Sequence, residues 1–135
     1  MPFALVVDDD LSNRTVLQEV LKLADYTIHV AKNGQEGLTA LEQQTYDLAF
    51  VDMHMPDMLG IKVVDAIRQQ SDSTFIVFAT MDDSQEAFHG AYNAGSDVFL
   101  VKPYEIAQVL AIAKNPERGQ RWVADRHGLR PYLAT

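Results

Sequence analysis

The chain has 135 residues, 47% of them hydrophobic, no cysteine and a formal net charge of −8. That length predicts one domain with a true core; the missing thiols exclude disulfides and thiolate metal sites, and no apolar run is long enough to cross a bilayer as a helix. The charge is uneven: residues 1–114 carry 7 basic and 17 acidic side chains, residues 115–135 carry 4 and 2. An acidic body disfavours direct contact with nucleic-acid phosphates but suits a protein partner or a divalent cation. With no basic-then-apolar N-terminal stretch to read as a signal peptide, the expected address is the cytoplasm, without membrane attachment.

Phe3-Ala4-Leu5-Val6-Val7 reads as a first strand and ends in Asp8-Asp9-Asp10. Asp10 or Ser12 can cap the following helix, whose apolar stripe is Val16, Leu17, Val20 and Leu21. Thr27 to Ala31 is a second strand, Asn33-Gly34 a turn, and Gln35 to Gln43 a short helix turning Leu38 and Leu41 inward. Leu48 to Val51 has no polar alternation, which suits a strand covered on both faces. It stops at Asp52, and Met55-Pro56 and Gly60 then force a loop. A helix over about Ile61–Gln69 places Ile61, Val64 and Ile67 on one face. Thr74 to Ala79 is a fourth strand, ending at Thr80. Ser84 caps a helix that buries Ala87, Phe88 and Ala91 and stops at Gly95. Asp97 to Val101 is a fifth strand, ending at Lys102-Pro103. A last helix, about Glu105–Lys114, is expected to bury Ile106, Val109, Leu110 and Ala113.

Strand and helix thus alternate five times, which predicts βαβ units and a parallel sheet. Right-handed crossovers put all strand ends on one edge, where open α/β sheets bind ligands. Singly, each polar residue at those ends has an ordinary reading: a solvated acid run or helix cap, a turn Asp, a packed Thr, a surface Lys-Pro turn. Together they put Asp8-Asp9-Asp10, Asp52, Thr80 and Lys102 at one place. Adjacent carboxylates repel, and an all-oxygen set calls for Mg²⁺, with Mn²⁺ as the alternative. Asp52 is then a carboxylate nucleophile able to form an acyl phosphate. The metal offsets its repulsion from an incoming phosphoryl group, Lys102 adds a positive charge and Thr80 a hydroxyl.

The set Val6-Val7-Asp8-Asp9, Asp52-Met53-His54-Met55-Pro56-Asp57-Met58-Leu59-Gly60, Thr80 and Lys102-Pro103 resembles the receiver domain of two-component response regulators, of the chemotaxis-regulator type, over about Phe3–Lys114. The resemblance implies a flavodoxin-like (βα)5 three-layer sandwich with a five-stranded parallel sheet in the order 2-1-3-4-5. It implies that Asp52 accepts a phosphoryl group from a sensor histidine kinase or histidine phosphotransfer protein. Asp8, Asp9, Asp52 and the His54 backbone carbonyl would hold Mg²⁺, Asp8 through water. Lys102 would pair with the phosphoryl oxygens, Thr80 and Phe99 would act as the switch, and the Lys102–Pro103 bond would be cis. The output surface would be the fourth and fifth helices and the strand between them, open to a downstream protein, a fused output domain or a homodimer partner. Such a chain is a signalling switch, catalysing only its own phosphotransfer and dephosphorylation.

Some positions depart from the family's commonest residues. Met81 follows the switch Thr where a smaller residue is usual, and its bulk is expected to narrow access to Asp52. Phe99 lacks the phenol often found there, and His54 and Asp82 occupy the two positions that tune phosphoryl lifetime. A competing enzyme reading is a haloacid-dehalogenase-type phosphatase using Asp8 with Asp10; the residues after Asp8 lack that family's usual turn, and there is no cap insertion. A degenerate receiver is disfavoured by the intact Asp52, Thr80 and Lys102. Residues 115–135 lie outside the domain at 1–114. Arg121 to His127 followed by Gly128 and Pro131 carries helix-then-stop punctuation, so an extra helix resting on the domain, or a linker, is expected, with a docking segment or the start of an output domain as the sharper alternative.

Overall fold

The computed structural model describes residues 2–116, 122–125 and 128–131. Its elements run β1 (Phe3–Val7), α1 (Leu11–Leu23), β2 (Thr27–Ala31), α2 (Gly34–Gln43), β3 (Leu48–Asp52), α3 (Gly60–Gln70), β4 (Phe75–Thr80), α4 (Gln85–Ala94), β5 (Val98–Val101), α5 (Ile106–Lys114), β6 (Trp122–Asp125) and β7 (Gly128–Pro131). The first ten follow the sequence expectations within a residue or two.

Alternate side chains of each central strand enter opposite layers, as the pleat requires. Leu5, Val7, Ala49, Val51, Ile76, Phe78 and Phe99 pack with α2, α3 and α4. Ala4, Val6, Leu48, Phe50, Val77, Leu100 and their neighbours pack with α1 and α5. This two-sided burial is why the strands carry unbroken apolar runs, and it gives the expected flavodoxin-like three-layer sandwich.

The sheet order is β2-β1-β3-β4-β5-β6-β7. The expected order 2-1-3-4-5 is present and parallel, but over the described residues the sheet has seven strands, not five. Trp122–Asp125 is a strand parallel to β5, and β7 returns antiparallel to it. The expected extra helix is therefore corrected over these residues; Arg121, Arg126 and His127 lie outside those described. Trp122-Val123-Ala124 is an apolar run too short for periodicity to separate strand from helix, and the open edge of β5 offered it a ladder.

Two further expectations are corrected. Ile106 is 56% exposed, because it is the first helical residue of α5, on the turn where the chain enters from the loop after β5. Val16 also faces solvent, leaving Leu17, Val20 and Leu21 as the buried stripe of α1. The caps agree with the sequence: Asp10 accepts from the Ser12 amide, Ser84 from the Ala87 amide, and Gly95 takes the left-handed conformation at φ +115° that favours glycine.

Candidate functional site

The C-terminal ends of β1, β3, β4 and β5 share one edge, because every pairing among them is parallel. β1 runs out into Asp8 and Asp9, β3 ends on Asp52, β4 on Thr80, and Lys102 follows β5. The Lys102 Nζ lies 2.8 Å from Asp52 Oδ1 and 3.6 Å from Asp8 Oδ2. Carboxylate oxygens of Asp8, Asp9 and Asp52 lie within 4.8 Å of one another. Asp8 and Asp52 are 3% and 7% exposed, while Asp9 is open to solvent.

One ammonium thus pairs with two carboxylates of a cluster of three. Burial pushes the Asp52 carboxyl above its usual range; the Lys102 hydrogen bond and charge oppose this, and Asp8 and Asp9 reinforce it. For Lys102, burial pulls downward, but the bond to Asp52 and the charges of Asp8 and Asp52 outweigh it and the pKa stands above the usual lysine value. Excess negative charge on oxygen-only donors, part buried and part open, is chemistry that a hard divalent cation satisfies.

Local structure fixes each group. Asp8 is held from three sides: its Oδ1 accepts from the Asp10 amide at 2.9 Å, its Oδ2 from the Asn13 amide group at 3.4 Å, and its carbonyl from Arg14 at 2.8 Å. After Asp52 the chain turns back on itself, with the Gly60 amide bonded to the Met53 carbonyl at 2.7 Å and His54 bridged to Leu59. A Cβ on Gly60 would stand 2.1 Å from the Asp52 carbonyl oxygen, so only glycine lets the loop fold against the end of β3. Asp57 anchors the loop's far side, accepting from the Gly34 and Gln35 amides at 3.0 and 2.9 Å. These bonds, Gln35's first, hold its carboxyl below the usual range. That support is present above the ordinary carboxylate pKa and is lost as pH falls through the lowered one.

The remaining expected residues take up varied positions. The Thr80 hydroxyl donates to the Met53 sulfur at 3.0 Å and accepts from the Asp82 amide at 3.0 Å. Phe99 is fully buried, edge-on to Phe88 with centroids 4.3 Å apart and tilted against Phe78 and Tyr92. Lys102–Pro103 is cis. Met81 is 80% exposed, so its bulk stands mainly in solvent. His54 and Asp82 are also exposed; hydrogen bonds from Ser84, backbone then side chain, hold the Asp82 carboxyl low, and His54 adds to this.

Tyr104 was not anticipated. Its hydroxyl is buried and has no partner among the described residues. Burial raises its pKa, and the charges of Asp8, Asp52 and Asp10 raise it further. The only sequence hint was its place two residues after Lys102. Asp57 was likewise missed as an anchor, although it sits inside the quoted motif.

The family model for the response regulator receiver domain matches residues 4–114. The protein belongs to that family. Among curated relatives, the receiver is 34% identical over 110 residues to the sensory/regulatory protein RpfC of Xanthomonas campestris, covering 78% of this chain and 15% of that protein. It is 34% identical over 109 residues to the DNA-binding transcriptional regulator NtrC of Salmonella typhimurium, covering 81% and 23%. The chain spans less than half the length of such relatives. Solved structures of full receiver size also match. The chemotaxis response regulator CheY4 of Vibrio cholerae has a TM-score of 0.76 at 31% identity, with 82% of this chain and 94% of that one covered. A CheY-like receiver from Methanospirillum hungatei has a TM-score of 0.80 at 26% identity, with 84% and 91% covered. The receiver assignment made from sequence thus holds, and the acidic pocket of Asp8, Asp9 and Asp52 fits the phosphoacceptor site of such a domain. Among the described residues no helix is long and apolar enough to cross a membrane.

Asp9 offers a direct check on the metal reading. Asp9→Asn removes one of the clustered carboxylates at an exposed position, so it is expected to raise the metal-free melting temperature slightly and to weaken Mg²⁺ binding at least ten-fold. Fluorescence or calorimetric titration with Mg²⁺ measures it; unchanged affinity would mean the cation sits elsewhere.

Proposed function

We propose that this receiver takes a phosphoryl group onto Asp52 from a phosphohistidine of a sensor kinase or histidine phosphotransfer protein. A carboxylate oxygen of Asp52 attacks phosphorus, the P–O bond forms as the P–N bond breaks, and the imidazole leaves with the electron pair. The observation that carries this reading is the 2.8 Å contact between Lys102 and Asp52 inside a cluster of three acids. Lys102 would give up part of its hold on Asp52 to pair with the transferred phosphoryl oxygens. Asp8, Asp9, Asp52 and the His54 carbonyl would hold Mg²⁺, or Mn²⁺ in its place. The bound cation supplies charge neutralisation between nucleophile and phosphoryl group.

Thr80 is one strand over from Asp52 and would exchange its bond to Met53 for one to the phosphoryl group. Phe99, on β5 and packed against Phe88 and Tyr92 of α4, would couple that exchange to α4. Exposed His54, Met81 and Asp82 would set how readily water reaches the acyl phosphate. The protein then works as a switch rather than a multiple-turnover enzyme, since modification need only bias two existing arrangements. Its downstream partner is another protein or a fused output domain, and the acidic body argues against direct nucleic-acid contact. The phosphatase reading gains nothing, because the Asp8 carboxylate is already engaged by Asp10, Asn13 and Lys102.

Fluorine NMR with Mg²⁺ and beryllofluoride tests this. A bound fluoride signal is expected for the native chain and none for Asp52→Asn. Repeated turnover of a phosphate ester that depends on Asp8 would overturn it.

A further inference from the structure

We propose that the β6–β7 hairpin is the chain's own occupant of the α4–β5–α5 face, standing where a second copy would pair with β5. The family match ends at residue 114, so the hairpin is an addition to the receiver unit. Without it, β5 would be an edge strand with unpaired backbone groups, a surface that invites another strand.

The hairpin closes that edge over three of the four residues of β5. Val98, Phe99 and Leu100 stand opposite Trp122, Val123 and Ala124, and the Trp122 amide bonds the Asp97 carbonyl at 2.9 Å. Both flanking helices reach across to its backbone: the Tyr92 hydroxyl of α4 donates to the Trp122 carbonyl, and the Gln108 side chain of α5 donates to the Asp125 carbonyl at 2.6 Å. Its two central side chains enter different cores. Val123 joins the cluster of Phe99, Phe88 and Tyr92; Ala124, with no exposed surface, joins Leu100 and Val109. Phe99 is therefore penned in its inward position by Val123 beside it. Yet the hold on β5 is three residue pairs long, short enough to open locally without unfolding the sheet.

The proposal rests on the phosphoacceptor reading only in treating this face as the output surface. Its test needs no phosphoryl group, so the two stand or fall separately. Amide hydrogen exchange by NMR and sedimentation are run on the full native chain and on Ala124→Asp, which puts a carboxylate into the closed core. The native chain is expected to be monomeric, with protected amides in Val98–Val101 and Trp122–Ala124. Ala124→Asp is expected to speed exchange there at least ten-fold, leave β1 and β3 protected, and shift the sedimenting species towards a dimer. If Ala124→Asp unfolds the whole chain, the milder pair Tyr92→Phe with Gln108→Ala is read the same way, with a several-fold acceleration confined to β5 and β6. Unprotected β6 amides in the native chain, no local change in the variants, or a released variant that stays monomeric at millimolar concentration would each overturn it.

Discussion

Lys102→Met is expected to cost about 3–5 kcal/mol of stability in the metal-free protein at neutral pH, the scale for removing one partner of a buried ion pair. The substitution keeps the stem but removes the ammonium lying between Asp52 and Asp8. Three acids would then face one another, and among the described residues only the Asp8 carboxylate would keep hydrogen bonds. The pH dependence follows from the direction of the shifts. The Asp52 pKa is already raised by burial, with Asp8 and Asp9 adding to it, so its protonated form favours the fold: that contribution is full below the ordinary carboxylate pKa and is lost as pH rises through the raised one. Without Lys102 the window moves upward, and the variant should be closest to the native chain near pH 4 and furthest from it near pH 7.5. The raised Lys102 pKa acts at the other end: its stabilisation is present below the ordinary lysine pKa and is lost only as pH climbs through the higher value. Urea unfolding at the two pH values, with and without Mg²⁺, measures this. A uniform loss across pH would show that Lys102 acts by packing instead.

Asp97→Ala should be comparably damaging, by about 3–5 kcal/mol, although it is remote from the acid cluster. One Asp97 oxygen accepts from Arg68 at 2.9 Å and from the Ile76 amide at 2.8 Å. Truncation would strand a mostly buried guanidinium and a strand amide together, and unsatisfied buried donors are costly. Arg68 would keep its bonds to the Gly95 and Ser71 carbonyls, so it would be held in place without its counter-charge. Asp97→Asn, which retains an acceptor for Ile76, should lose less. Equilibrium unfolding in urea separates the three proteins; a loss below 1 kcal/mol for Asp97→Ala would show that water reaches Arg68.

That ion pair had no sequence signal, since 29 positions separate its members and nothing local in either segment demands a partner. The acid cluster was legible for the opposite reason. Each of its residues sits at the end of an apolar run, and a parallel sheet has only one place to put such ends. The buried strands were legible because the three-layer arrangement leaves no polar alternation in them. Trp122-Val123-Ala124 misled because its punctuation resembles a helix end, while its true partner, β5, became available only through tertiary pairing. Ile106 misled because a helical stripe says which face is apolar, but not whether the first turn has anything beneath it. The anchoring of the loop after β3 by Asp57 was hidden because its partners belong to the start of another helix.

The most direct measurement is the site of covalent modification in the intact chain. With Mg²⁺ and acetyl phosphate, mass spectrometry should find one phosphoryl group, removable by hydroxylamine as an acyl phosphate and mapping to Asp52. A folded, Mg²⁺-bound chain that gains no such group, or gains it on another residue, would contradict the account.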